Sequence, residues 1–211
     1  MLKFNDPPNF YGKMLKSVRI QYPIPESAMG GIAVDIGANL GAFPVVNHKK
    51  FNRIICIEPS QDSVDNIFKN LNAHNITNAE VYRLAVSNVS DQDLRLHPYK
   101  THNYSGNAIT TNSNYLKHQY DHDHYEDVKS ISLEDVFSKF NLTKIDYLKL
   151  DCEGAEVPFL LNKDLSKIDN IGMELHGYTW EPAMDLMRYI LKSHTLIKKI
   201  GVCLYSFRIK K

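Results

Sequence analysis

Short apolar runs, each closed by a polar or glycine-rich turn, alternate along this chain with stretches whose apolar residues recur at helical spacing. The first run, Gly31–Ile36, carries an acid at Asp35 and breaks into Gly37, Asn39 and Gly41 before a second run, Ala42–Val46. That order predicts a buried strand, a tight turn and the first turns of a helix. Arg53–Ile57 reads as a second buried strand ending in Glu58-Pro59-Ser60, with a helix over 61–73 behind it. Ala79–Leu84 is a third strand, and Leu94–His97 alternates as an edge strand does. After a long polar interval, Ser132 caps a helix running to Phe140, with Asp135 three residues on. Ile145–Leu150 and Ile168–Leu175 are the fourth and fifth buried strands. Pro182 takes the first position of a helix ending near Lys192, and Thr195–Ile200 and Val202–Ile209 flank Gly201 as a closing hairpin. This alternation predicts an α/β fold, a doubly wound and mostly parallel seven-stranded sheet with one antiparallel edge strand.

Residues 1–30 hold Pro7, Pro8, Pro23 and Pro25 and read as an irregular arm with a short helix near Tyr11–Val18. Asp6-Pro-Pro-Asn9 reads as a proline-fixed turn. Residues 31–211 are expected to form one domain, interrupted by a polar and aromatic insertion over 98–128. Loops of that length inside a compact domain are usually functional, so a mobile lid over a ligand pocket is expected there. His118, His122 and His124 with Asp121 and Asp123 have metal-binding chemistry. Crowded on a polar loop without apolar support, they read instead as a solvated surface.

Composition narrows the function. At 211 residues, 43% hydrophobic and 23% charged, the chain can bury a full core, which excludes a disordered class. A net charge of +1 argues against a partner held mainly by phosphate contacts, so nucleic acid is not expected. Cys56, Cys152 and Cys203 cannot all pair and form no Cys-x-x-Cys, which suits a reducing compartment. The N-terminus lacks the apolar core of a signal peptide, and no apolar run reaches the roughly 18 residues of a membrane helix. A cytoplasmic protein without membrane association is expected.

The glycine turn carries the chemistry. Dinucleotide folds use Gly-x-Gly-x-x-Gly, which presses backbone against a pyrophosphate. Here the spacing is Asp35-x-Gly37-x-Asn39-x-Gly41, and a carboxylate ahead of the first glycine would repel a pyrophosphate. It suits a cationic ligand, and S-adenosylmethionine offers a sulfonium, an ammonium and a ribose diol with no phosphate. S-adenosylmethionine is therefore favoured over NAD. Glu58, at the tip of the next strand, is placed to accept both ribose hydroxyls. Ala85 and Val86 are small enough for an adenine to lie against their backbone. The expected cofactor set is Asp35, Gly37, Ala38, Asn39, Gly41, Glu58, Pro59, Ala85 and Val86.

Val34-Asp-Ile-Gly-Ala-Asn-Leu-Gly41, Ile57-Glu-Pro59, Ile145-Asp-Tyr-Leu-Lys-Leu-Asp-Cys-Glu-Gly-Ala-Glu156 and Met173-Glu174 together resemble the FkbM-type S-adenosylmethionine-dependent methyltransferases. The likeness covers about residues 31–176, and its most specific part is Lys149-Leu-Asp-x-Glu-Gly-Ala-Glu156. It implies a Rossmann-like class I methyltransferase fold with the cofactor at the tips of the first strands. It also implies methyl transfer to a hydroxyl of a sugar or small molecule, with Asp35, Gly37, Asn39, Gly41, Glu58 and Asp151 at matching cofactor positions. The 98–128 insertion has no counterpart in that pattern.

Asp151, Glu174 and His176 also end strands, so they are the expected catalytic residues, facing one crevice with Asp35 and Glu58. His176 has the ordinary pKa of a general base for the acceptor hydroxyl. A divalent cation held by Asp151, Glu174 and His176 is the second option. The sequence around Glu174 offers no evident third oxygen ligand, so a base or positioning alone is favoured over a metal. Two other function classes stay open. One is an RNA or protein methyltransferase, which needs Lys198, Lys199, Arg208, Lys210 and Lys211 to form a patch. The other is a non-catalytic cofactor-binding protein.

Overall fold

The computed structural model describes residues 10–98, 108–109, 121, 123–176, 181–200 and 203–208. Helix α1 (Phe10–Gln21) leads into β1 (Ile32–Ile36), α2 (Ala42–Asn47), β2 (Arg53–Ile57), α3 (Gln61–Ala73) and β3 (Ala79–Tyr82). Four short strands follow, β4 (Ala85–Val86), β5 (Asp93–His97), β6 (Ala108–Ile109) and β7 (Glu126–Ile131). The chain then runs through α4 (Leu133–Lys139), β8 (Tyr147–Leu150), α5 (Glu156–Leu160), β9 (Asn170–Glu174), α6 (Glu181–Ile190), β10 (His194–Ile200) and β11 (Cys203–Arg208). Helix α4 starts as its sequence requires, with Ser132 Oγ accepting the Asp135 amide at 3.2 Å. Helix α1 is longer than the expected Tyr11–Val18 segment and replaces much of the irregular arm.

The main sheet has seven strands in the order β10-β11-β9-β8-β1-β2-β3. Strands β3, β2, β1, β8 and β9 pair in parallel. Alternation along each strand sends side chains to two separate cores. Val34, Ile36, Leu148 and Leu150 join Val136, Phe159, Leu160 and Leu186 on the face covered by α4, α5 and α6. Ala33, Ile54, Cys56 and Tyr147 join Val18, Phe43, Ile67 and Leu71 on the face covered by α1, α2 and α3. The register sets Asp35 directly across from Lys149 on this second face. Strand order reverses between β1 and β8, so the loops after those two strands flank the switch point where open α/β sheets bind ligands.

Two expectations need correcting. The reversed strand, β11, is not at the edge: it lies between β9 and β10. A hairpin makes β10 and β11 antiparallel neighbours, and β11 takes the place beside β9, pairing Cys203–Phe207 with Asn170–Glu174, which leaves β10 outermost. Leu94–His97 is likewise no edge of the main sheet. It belongs to β5, inside a second sheet of order β4-β7-β5-β6. The expected 98–128 insertion also gives up its end, because Glu126–Val128 begins β7, which pairs with β5 and β4. Val128, Ser130 and Ile131 are the buried positions of β7, and Val128 closes a small core with Ala85 and Leu96. Residues 99–107, 110–120 and 122, where the lid was expected, lie outside the described residues, as do Asp6-Pro-Pro-Asn9, His118, His122, Lys210 and Lys211. Asp121 and His124 form an exposed pair at 2.7 Å. Among the described residues no helix is long and apolar enough to cross a membrane.

Candidate functional site

The turn after β1 is made of left-handed backbone: Gly37 has φ 70°, Asn39 φ 50° and Gly41 φ 77°. At Gly37 a second constraint acts, since an added Cβ would stand 1.8 Å from the Asp151 carbonyl oxygen. The Asp151 amide in turn donates to the Ile36 carbonyl at 3.1 Å, so the tips of β1 and β8 touch backbone to backbone. The turn is tied to β2 by Glu58. Its Oε2 accepts the Asn39 amide at 2.8 Å and its Oε1 accepts the Ser60 amide at 3.0 Å. Burial pushes the Glu58 carboxyl up to about 7, although both amide hydrogen bonds pull the other way.

Beneath the turn, Asp35 and Lys149 form an ion pair at 3.0 Å, with Asp35 fully buried. Lys149 Nζ also donates to the Ile36 and Gly37 carbonyls at 3.2 and 2.7 Å. Three contacts match the three protons of an ammonium. Burial works against the charge on Lys149, and the carboxylates of Asp35 and Asp151 outweigh it, so the amine stays protonated. Asp35 therefore does not line the crevice as expected: it lies fully buried behind Lys149 on the α1 face. Lys149 is the residue the sequence reading passed over. A lone cation inside the apolar strand Tyr147–Leu150, like the lone acid inside Ile32–Ile36, was its signal.

A cavity of about 410 Å³ opens between α1 and the turn. Met14, Val18 and Tyr22 wall it on one side, and Gly37, Ala38, Asn39, Ala42 and Phe43 on the other, with Lys149 and Asp151 at its base. Tyr22 OH donates to Asp151 Oδ2 at 3.2 Å. Of the expected cofactor residues, Gly37, Ala38, Asn39 and Asp151 line this cavity. Glu58 reaches it through the Asn39 amide, and Pro59 follows, its carbonyl accepting from Arg83 Nε at 3.2 Å. Gly41 is packed behind the turn against Ile67. Ala85 and Val86 are buried in β4, paired with Ser130 and Ile131, away from the cavity wall.

On the far side of Asp151 the expected catalytic residues do converge. His176 Nε2 lies 4.0 Å from Asp151 Oδ1, 3.9 Å from Glu174 Oε1 and 3.4 Å from Glu153 Oε2. Its Nδ1 is hydrogen-bonded to Glu156 Oε1 at 3.0 Å, and that same oxygen accepts the Cys152 amide at 2.9 Å. Burial alone would lower the pKa of the ring, but the Glu156 bond and the surrounding carboxylates hold it up at about 10. A general base at His176 needs the neutral ring, whereas these carboxylates favour its charged form. Glu153, pushed up to about 7 by burial and by Asp151, Glu156 and Glu174, is the member the sequence reading missed. It enters because Glu153 and Gly154 both take positive φ, 54° and 99°, and turn the chain back over the end of β8.

A family model for the methyltransferase FkbM domain matches residues 35–196, well over half of the chain. No curated protein matches it. The fold is similar to that of a methyltransferase FkbM from Methylobacillus flagellatus KT, with TM-score 0.58 at 16% identity, covering 95% of this chain. This chain spans 50% of the length of that protein. It is also similar to a precorrin 8W decarboxylase from Methanobacterium thermoautotrophicum, with TM-score 0.51 at 12% identity over 93% of this chain and 90% of the other. The Rossmann-like class I methyltransferase fold, the turn at the β1–β8 switch point and the match over residues 35–196 lead to one assignment: the chain belongs to the FkbM methyltransferase domain family.

Proposed function

We propose that the chain is an S-adenosylmethionine-dependent methyltransferase acting on a hydroxyl of a small molecule or sugar. The observation that carries this reading is the left-handed turn Gly37–Gly41 with its Asn39 amide tied to a buried carboxylate, Glu58. A pyrophosphate site needs free amides and no adjacent acid, whereas a diol needs a carboxylate acceptor. The residues fit the cofactor on a second count. Asn39 Oδ1 is buried without a hydrogen-bond partner among the described residues, beside a cavity of ligand size.

In this reading Glu58 accepts the ribose hydroxyls, with Pro59 closing the strand tip, while Ala85 and Val86 stay packed in β4 and do not touch the cofactor. Asp151, at the base of the cavity, takes the ammonium. When bound, the cofactor supplies an electrophilic methyl group on a sulfonium. Asp35 and Lys149 act from below: they hold the Ile36 and Gly37 carbonyls and so fix the turn. Asp151, Glu174 and His176 position the acceptor oxygen in line with the departing sulfur, from which much of the acceleration comes. The hydroxyl proton leaves to a carboxylate of this cluster, since His176 already carries its own.

Calorimetric titration tests the cofactor half. S-adenosylhomocysteine should bind and NAD should not, and Glu58→Ala should weaken the former by about 1.5–3 kcal/mol, as for hydrogen bonds to a charged group. Tight NAD binding without S-adenosylhomocysteine binding overturns the reading. A labelled-methyl transfer screen against fractionated cell extract then identifies the acceptor.

A further inference from the structure

We propose that Asp151, Glu153 and His176 form a divalent-cation site beside the cofactor cavity, with Glu174 at its margin. Oxygen and nitrogen ligand atoms of the three residues all lie within 4.8 Å of one another. The spacing is long for hydrogen bonding and right for a coordination shell. His176 Nε2 has no hydrogen bond among the described residues, and the three oxygens around it stand off at 3.4, 3.9 and 4.0 Å. Ligands held about 2.0–2.6 Å from one ion sit about 3–4 Å from each other.

Nε2 gives up its proton to solvent when the ion binds, and the other ring nitrogen is already fixed in the way a ligating histidine requires. Nδ1 faces Glu156, whose carboxylate is fully buried and also holds the Cys152 amide, so ring orientation and tautomer are set from behind. A separate observation points to a missing occupant. Four carboxylates meet here around one imidazole, an excess of negative charge that a cation would offset, and Glu156 Oε2 behind the ring is buried with no hydrogen-bond partner among the described residues. Access is open, because the side chains of Asp151, Glu153, Glu174 and His176 are 18–33% exposed.

Two carboxylates and one imidazole suit a manganese-like ion, harder than the thiolate sites that zinc prefers. Asp151 belongs to both places: Oδ2 meets Tyr22 at the cavity and Oδ1 faces His176. A cation there stands next to the cavity and can stabilise negative charge developing on an acceptor oxygen. That use rests on the methyl-transfer reading above; binding of the ion does not.

The test is Mn²⁺ titration of the full chain, followed by the loss of the free-ion EPR signal. The expected result is one Mn²⁺ per chain, weakened about tenfold or more by Glu153→Gln and by His176→Ala. Each variant is first checked for cooperative thermal unfolding. Selective Mn²⁺ broadening of the His176 ring resonances in the unsubstituted chain gives the same answer without a variant. Folded protein that leaves the EPR signal unchanged, or binds Mn²⁺ without touching His176, overturns the proposal. S-adenosylhomocysteine binding without Mn²⁺ binding sinks the ion site and spares the cofactor reading. Mn²⁺ binding without S-adenosylhomocysteine binding does the reverse.

Discussion

Two charge clusters sit side by side at the tips of β1, β8 and β9, and they are built on different stoichiometries. Under the glycine turn one carboxylate, Asp35, meets one ammonium, Lys149, and all three ammonium protons are engaged. Around His176, four carboxylates share one imidazole and Nε2 has no hydrogen bond among the described residues. The first cluster is buried and balanced in charge, so it sets backbone shape. The second is partly exposed and overcharged, so it has capacity left for a ligand. Sequence proximity hides this contrast, because Lys149 and Asp151 are only two residues apart.

Breaking the balanced cluster should cost most. Lys149→Met leaves Asp35 as an unpaired buried charge, and urea denaturation should show a loss of about 3–5 kcal/mol. Adding Asp35→Leu should recover most of it, since a buried pair is often no better than apolar residues of similar size. If the single variant loses under about 1 kcal/mol, water reaches Asp35 and the distinction between the clusters fails.

The same denaturation applied to His176→Gln should show a smaller loss, about 1.5–3 kcal/mol, the size of a charged hydrogen bond. Glu153, already poised near 7, can take up a proton there, and solvent reaches the neighbouring side chains. A loss as large as that of Lys149→Met would make the two clusters alike.

The smallest effect belongs to Glu58, which touches neither cluster directly. Its folded pKa of about 7 lies above the ordinary 4.5, so the folded chain holds this proton more tightly than the unfolded one. The resulting stability is full below about pH 4.5 and is lost as pH rises through about 7. Ribose hydroxyls donating to Glu58 would favour its ionised form, so binding near pH 7 should release a fraction of a proton. Calorimetry of S-adenosylhomocysteine binding in buffers of different ionisation heat measures it. The release should vanish in Glu58→Gln; no release from the unsubstituted chain would separate Glu58 from the diol.

The central strands were legible because both faces of β1, β2, β8 and β9 are covered, which writes them as nearly continuous apolar runs. Glu58 was legible because it ends such a run. The second sheet was not, since β4 and β6 have two residues each and Glu126-Asp-Val-Lys-Ser-Ile131 mixes charge with apolar positions. Glu153 was hidden for another reason. Its recruitment depends on a positive φ in a non-glycine residue, which residue identity does not announce. The burial of Asp35 was visible in principle, but only with its register partner on β8, and register is a long-range property.

The position of β11 has a consequence for the order of folding. The last described strand lies inside the sheet, so β10, made before it, cannot take its final place until β11 exists. A local hairpin closure followed by docking along Asn170–Glu174 satisfies that order with the shortest loops. Until β11 docks, β9 presents an unpaired edge that ends in Glu174, two residues before His176. Completion of the β9 tip, which carries Glu174 beside His176, therefore waits for β11, whereas the β1–β8 tips under the glycine turn do not.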